Sequence, residues 1–362
     1  MRARARTQRL DHIRGDGMRG FEPDFNYLLK VLRREPTDRP VLFEFFMNDQ
    51  VYEAFTDATQ IPTGDEDLAT RVRMMYCFRH LGYDYATVKA GKHLYFPNTG
   101  EDHGHKLTYS LNEGSHIDSW EQFERYPWPD YASGDFRYLE RMIPYIPEGM
   151  KLVAASPGGL EEIVIGLTGY ETLCYLMHDE PELVDALFEA VGTRLVSYYT
   201  DICTFDAVGA CISNDDWGFN TQTLLSYDQM RRWVIPWHQQ IADTIHRAGQ
   251  PAILHSCGNI YPIMDWVIEE LKYEGKHSYE DGIMPVEEAW DCYHDRIAII
   301  GGIDVNFMIM EETQAVYDRS RAMLERTSAE GAFALGTGTA VRIKGEQATV
   351  TLWRSLSQLA AC

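Results

Sequence analysis

Two side chains with metal-binding atoms, His255 and Cys257, close the apolar run Pro251-Ala252-Ile253-Leu254, and Gly258 follows them. If that run is a strand, residues two apart project from one face. An imidazole nitrogen and a thiolate can then converge on one ion. That pair suits zinc, and a glycine directly after it lets the backbone turn away at the strand end. The alternative use of the same residues is a buried histidine beside a structural cysteine.

Polar residues gather at the ends of other apolar runs in the same way. Glu44, Asn48 and Asp49 follow Val41–Phe46, and Asp84 lies within Tyr83–Val88. Asn214, Asp215, Asp216 and Trp217 follow Ala207–Ser213. His277 and Glu280 close a further run, and Asp304 follows Gly301-Gly302. Asp, Asn and Gly favour loops through turn chemistry alone, so each is weak by itself. Their recurrence at successive strand ends carries more. Carboxylates crowded around one cavity raise one another's pKa and are relieved by a bound cation, while the same charge disfavours an anionic substrate. The Gly pairs at 158–159 and 301–302 lack the dinucleotide-binding spacing, and no G-x-S-x-G turn occurs. The stretch Glu101-Asp102-His103-Gly104-His105 reads as an exposed polar loop rather than a second metal site.

The elements that must position these residues alternate between short apolar runs and amphipathic helices from about residue 40 onward. Strands are expected at Val41–Phe46, Tyr83–Val88, Leu152–Ala155, Ala207–Ser213, Ala252–His255 and Ile297–Gly301, with two more at Gly275–His277 and Ala332–Leu335. Eight such runs favour a closed (β/α)8 TIM barrel over an open sheet. Helices are expected over Pro181–Thr200, Asp228–Ala248 with a kink at Pro236, and Thr313–Arg326. The apolar faces of these helices, Trp233 and Trp237 included, are read as core. Residues 93–135, rich in His, Gly, Asp and aromatics without a period, read as an insertion that covers the site. Residues 1–20 form a basic arm, and 21–362 a single barrel domain.

The chain of 362 residues carries a net charge of −22, which argues against nucleic acid because phosphate backbones are bound through Lys and Arg. Six of its Arg lie in the first 20 residues, without an apolar stretch; a start at Met18 is the favoured reading of that arm, a targeting segment the other. Seven Cys form no CxxC pair, which fits a reducing cytoplasm. No run of 18 apolar residues exists to span a membrane.

Four motifs, Asn214-Asp215-Asp216-Trp217-Gly218, ILHSCGN from Ile253 to Asn259, IIGGID from Ile299 to Asp304 and ALGTG from Ala334 to Gly338, resemble the uroporphyrinogen decarboxylase superfamily. They occur in the family's order across roughly residues 25–340. The resemblance implies a (β/α)8 barrel with its site at the C-terminal mouth, in a decarboxylase or a cobalamin-linked methyltransferase branch. In the decarboxylase branch a pair of arginines after the first strand clamps the acidic substrate. Here Pro40 to Tyr52 reads PVLFEFFMNDQVY and holds no Arg. Asp84 stands where that branch keeps a central Asp, and Thr337 where it keeps a His. The methyltransferase branch holds zinc with His-x-Cys and a distant Cys. His255 and Cys257 match the pair, whereas Thr339 occupies the place of the distant Cys. The resemblance leaves Asp215, Asp216, His277 and Glu280 as candidates for the third ligand. Beyond Thr339 the chain departs from the family pattern.

The expected function is a zinc-dependent transfer of a methyl group between a small methylated donor or thiol and a corrinoid carried by a partner protein. Asp84, Asp216 and Glu280 are the expected catalytic residues. Glu44, Asn48, Asp215, Trp217, His277, Asp304, Thr337 and Thr339 are expected to bind substrate, with Trp217 lining an apolar pocket. The alternatives are a decarboxylase of a porphyrin or another small acid, and a binding barrel without turnover.

Overall fold

Seven of the eight expected runs form strands: β1 Tyr85–Lys89, β2 Lys151–Ala155, β3 Val208–Asn214, β4 Ala252–His255, β5 Gly275–His277, β6 Ala298–Ile300 and β7 Phe333–Ala334. The computed structural model describes residues 21–89, 94–97, 116–130 and 135–338. The arm at 1–20, Glu101 to His105 with most of the insertion, and Thr339 with all that follows lie outside the described residues. Neighbouring strands pair in sequence order, and every pair is parallel. Right-handed crossovers through helices make that order natural, and they cover the strands on the outer face. The near-continuous burial of Tyr85 to Val88, Leu152 to Ala155 and Ala252 to His255 is the result. Buried apolar side chains form one cluster from Phe25 to Leu335.

The expected first strand, Val41–Phe46, departs from the pattern. It contributes one parallel bridge, Leu42 to Leu335, made by Phe43 N–H to Leu335 O at 2.8 Å and Leu335 N–H to Val41 O at 2.8 Å. Toward β1 a side chain stands in for the ladder. The Tyr85 hydroxyl accepts from Glu44 N–H at 2.7 Å and donates to Glu44 O at 2.6 Å. The segment therefore touches both edges of the seven-stranded sheet, which curls so that β1 and β7 approach each other.

The helices fall where the periodicity places them, at Pro181–Ile202 and Thr313–Thr327. The stretch around Pro236 is not one regular α-helix. A π-helical turn, Met230–Val234, precedes an α-helix over Ile235–Arg247 that carries Pro236 in its first turn. Ile235 N–H bonds back to Met230 O, so the irregular turn falls directly before Pro236, whose missing N–H interrupts the regular ladder. No helix among the described residues is long and apolar enough to cross a membrane.

Candidate metal centre

Parallel pairing places Asn214, His255 and His277 side by side, each the last residue of its strand. The side chains beyond these ends converge. His255 Nε2 lies 3.8 Å from Cys257 Sγ and 3.7 Å from Asp216 Oδ1, and one donor atom from each of the three falls within 4.8 Å of the others. Cys257 sits past the end of β4, in a turn rather than on the strand.

Four contacts bring Cys257 back toward His255. Its N–H donates to Asp216 Oδ1 at 2.8 Å, and Gly258 N–H donates to Glu280 Oε1 at 3.0 Å. Asn259 N–H donates to Phe219 O at 2.7 Å. Ser278, held at a φ of 87°, donates its hydroxyl to the Cys257 sulfur at 3.2 Å. Gly258 has a φ of +81°, and a Cβ there would meet the Gly218 carbonyl oxygen at 2.0 Å. Two loops cross at that point, and only glycine permits it.

The donor set fits zinc. Tetrahedral bonds of about 2.0–2.3 Å set the ligand atoms roughly 3.3–3.6 Å apart, a few tenths below the two distances from His255, 3.8 Å to Cys257 and 3.7 Å to Asp216. Imidazole, thiolate and carboxylate together carry the charge that neutralises a dication. His255 is buried, which pulls its pKa down to about 3, with Lys276 and Lys89 adding to the effect. Its nitrogen lone pair is thus available at neutral pH. Burial also raises the Asp216 carboxyl, although 39% of its side chain meets solvent.

The remaining expected residues divide by place. Asp84 lies at the opposite, N-terminal end of β1, where it accepts from Asp24 N–H at 2.8 Å and Arg39 Nη2 at 2.6 Å. A catalytic Asp84 at the mouth is therefore a correction: this carboxylate ties the chain under the sheet. Asp215 accepts four hydrogen bonds, from Glu161 N, Glu162 N, Trp217 Nε1 and His238 Nε2. Its oxygens are used within the protein. Trp217 is fully buried, with its ring against His238, so it does not line a pocket. Asn48 and Asp304 cap short helices, accepting from Val51 N–H and Phe307 N–H; Asp304 also accepts from Asp281 N–H at 2.9 Å, while the buried Asn48 Nδ2 finds no partner among the described residues. Glu280 holds the turn after Cys257 instead of joining the three donors. Glu44 and Thr337 bond each other, and His277 bonds both His255 and Thr337, beneath the donor group. Thr339 is outside the described residues.

Sequence reasoning missed Glu161, Glu162, Ser278, Lys276 and His238. Glu161 and Glu162 follow Gly158-Gly159 after β2, a strand end given no candidate. Glu161 is fully buried, and neither carboxyl oxygen finds a partner among the described residues. Burial, then Asp215, raises its pKa well above the usual range. Glu162, which accepts from Gly159 N–H at 3.1 Å, has its pKa raised by enclosure of the carboxyl among protein atoms and then by Asp216, although part of the side chain meets solvent. Lys276 is buried behind Cys257, its amine on Ser278 O, and burial lowers its pKa to about 8. A lysine inside the apolar run of β5 was the available signal; a helical His238 offered none.

A curled, seven-stranded parallel sheet with donor side chains at its C-terminal strand ends defines the protein as α/β. The family model described as uroporphyrinogen decarboxylase (URO-D) matches residues 26–352, and the chain belongs to that family. Among solved structures it is similar to a methyltransferase from Methanosarcina mazei, with 13% identity and a TM-score of 0.64 over 93% of this chain and 99% of that one. A weaker likeness is to xylanase B from Clostridium stercorarium, with 10% identity and a TM-score of 0.40 over 59% and 74%. No curated protein matches the sequence.

Proposed function

We propose that the protein is a zinc-dependent methyltransferase, exchanging a methyl group between a small methylated donor or thiol and a corrinoid presented by a partner protein. The observation that carries this reading is the convergence of His255, Cys257 and Asp216 at adjoining strand ends. Family membership and the likeness to a methyltransferase support it. The curled seven-stranded parallel sheet is compatible with the barrel this reading expects, with Val41–Phe46 as its eighth wall. The cysteine spacing supports a cytoplasmic setting.

His255, Cys257 and Asp216 would hold the ion, which supplies Lewis acidity to a bound thiol or to the donor's heteroatom. The protein's own groups do the rest. Ser278 keeps a hydrogen bond on the Cys257 sulfur, and the Lys276 charge behind it favours the anionic form of the donor set. A substrate thiol bound there would shed a proton, and Glu162, a carboxylate close enough to Asp216 to feel its charge, would be the group to receive it. The decarboxylase alternative loses its acid, because Asp84 is buried at the far end of β1.

Two measurements on the purified protein test the reading. Metal analysis should find about one zinc per chain, and almost none in Cys257→Ala. Anaerobic incubation with methylcobalamin and a panel of thiols, or with cob(I)alamin and methylated donors, should change the cobalt absorption spectrum only when zinc is present. Zinc content that is equal in wild type and Cys257→Ala would remove the site.

A further inference from the structure

His255 Nδ1 and His277 Nδ1 are 2.6 Å apart, so one hydrogen lies between two nitrogens. Its owner is decided on the far side of His277. There Nε2 lies 3.2 Å from the carbonyl oxygen of Thr337. A carbonyl only accepts, so His277 Nε2 carries a hydrogen. Both rings are buried, which favours neutral imidazoles with one hydrogen each. His277 Nδ1 is then the acceptor, and the shared hydrogen belongs to His255 Nδ1. His255 Nε2 is left with a bare lone pair facing Asp216 and Cys257.

The carbonyl that decides this is itself fixed. Thr337 N–H donates to Glu44 Oε1 at 2.8 Å, and the Thr337 hydroxyl donates to Glu44 Oε2 at 2.6 Å. Glu44 is fully buried, and its backbone is clamped by the Tyr85 hydroxyl. The same residues join the first and last parts of the sheet, 293 positions apart in sequence. We infer that Glu44, Thr337 and His277 are positioning residues that set the tautomer of His255, presenting its Nε2 in advance as a ligand atom for a zinc-like dication. This inference rests on the metal reading above and deepens it. It also reassigns Glu44, His277 and Thr337 from contact with substrate to support beneath the ion. Partners of this type orient a metal-binding imidazole and raise its basicity.

Imidazole nitrogen NMR of the metal-free protein reads the tautomer directly, with assignment by the His255 and His277 variants. The expected result is Nδ1–H on His255; Nε2–H on that ring overturns the inference. Competitive zinc titration against a chelator supplies the second arm. His277→Phe leaves the His255 donor without an acceptor and should weaken zinc binding about ten- to hundredfold. His277→Gln, whose amide can accept from His255 and donate to Thr337, should restore most of that loss, as should Glu44→Gln relative to Glu44→Ala. A purely structural role predicts that affinity follows melting temperature in all four. Folded His277→Phe with wild-type affinity, or equal losses in the Phe and Gln variants, overturns the relay while the zinc site stands. No zinc uptake by the wild type overturns the zinc reading and this inference together.

Discussion

Asp216 stands where it could supply the donor that the motif pattern assigns to a second cysteine, and its chemistry sets what substitutions should do. Each ligand of a structural-type zinc site accounts for several kcal/mol, so Cys257→Ala should weaken zinc binding by on the order of a hundredfold or more. Asp216→Asn keeps the shape but removes the charge, and should weaken binding by a smaller factor. Asp216→Cys, which restores a second thiolate, should tighten it; chelator competition ranks all three. Thr339→Cys should add little if Asp216 already fills the place. The metal-free protein should also show the histidine's burial in its acid stability. The folded pKa of His255 lies near 3, below its ordinary 6.5, so the unfolded chain binds the extra proton. Its contribution is full above pH 6.5 and is lost as pH falls toward 3, to a limit of roughly 5 kcal/mol. Urea melts between pH 7 and 4 should fall more steeply in wild type than in His255→Phe. Equal slopes would mean that the ring is charged or hydrated in the fold.

Single donors act only where loops hold them, and here two strand-end loops cross at Gly258 and Gly218. A Cβ on Gly258 would meet backbone, and its φ of +81° already disfavours a side chain. Gly258→Ala should cost about 1–3 kcal/mol of stability and displace Cys257, lowering zinc affinity although no ligand is altered. Asp84→Asn should do the reverse. It breaks an ion pair in which Asp84 is 1% exposed and Arg39 23%, at a cost of about 2–4 kcal/mol after allowance for the open arginine. Zinc affinity should stay as it was, and denaturation beside chelator titration separates the two effects. These cases also mark what the sequence could show. Apolar runs bounded by turn residues placed seven strands to within about two residues, and polar residues at their ends included His255, Cys257 and Asp216. What it could not show depends on three-dimensional aim. Asp84 and Asp215 look like site carboxylates in one dimension, yet one faces the far end of β1 and the other has its oxygens filled by backbone amides, an indole and an imidazole. Val41–Phe46 reads as a strand because it is apolar, but a tyrosine hydroxyl takes the place of its ladder to β1.

Across the whole molecule, charge separates the two reactions that the family fold hosts. The chain carries −22, and the described residues at and around the donor group include Asp216, Glu162 and Glu280. A polycarboxylate tetrapyrrole entering there would meet like charge unless cations answered it. Pro40 to Tyr52 holds no arginine, and Asp49 stands exposed at the start of the helix Asp49–Ala54. Lys89, at the end of β1, sits 4.0 Å over the Phe46 ring, and Lys276 is buried behind Cys257. Neither makes a forked carboxylate clamp, which is a property of the planar guanidinium. Nor does the opposite end of the molecule help, because Arg39 is bonded to Asp84 and packed over Tyr27 beneath the sheet. Repulsion of this kind acts on entry as well as on orientation, so it should reduce both binding and turnover. We therefore expect no decarboxylation when the protein is incubated anaerobically with uroporphyrinogen and the products are oxidised and separated by chromatography. Partly decarboxylated porphyrins formed at about one turnover per second or faster would show that the site accepts the tetrapyrrole despite its charge. In that event the acid would have to come from Asp216 or Glu162, since Asp84 lies at the wrong end of its strand to reach a substrate at the donor group.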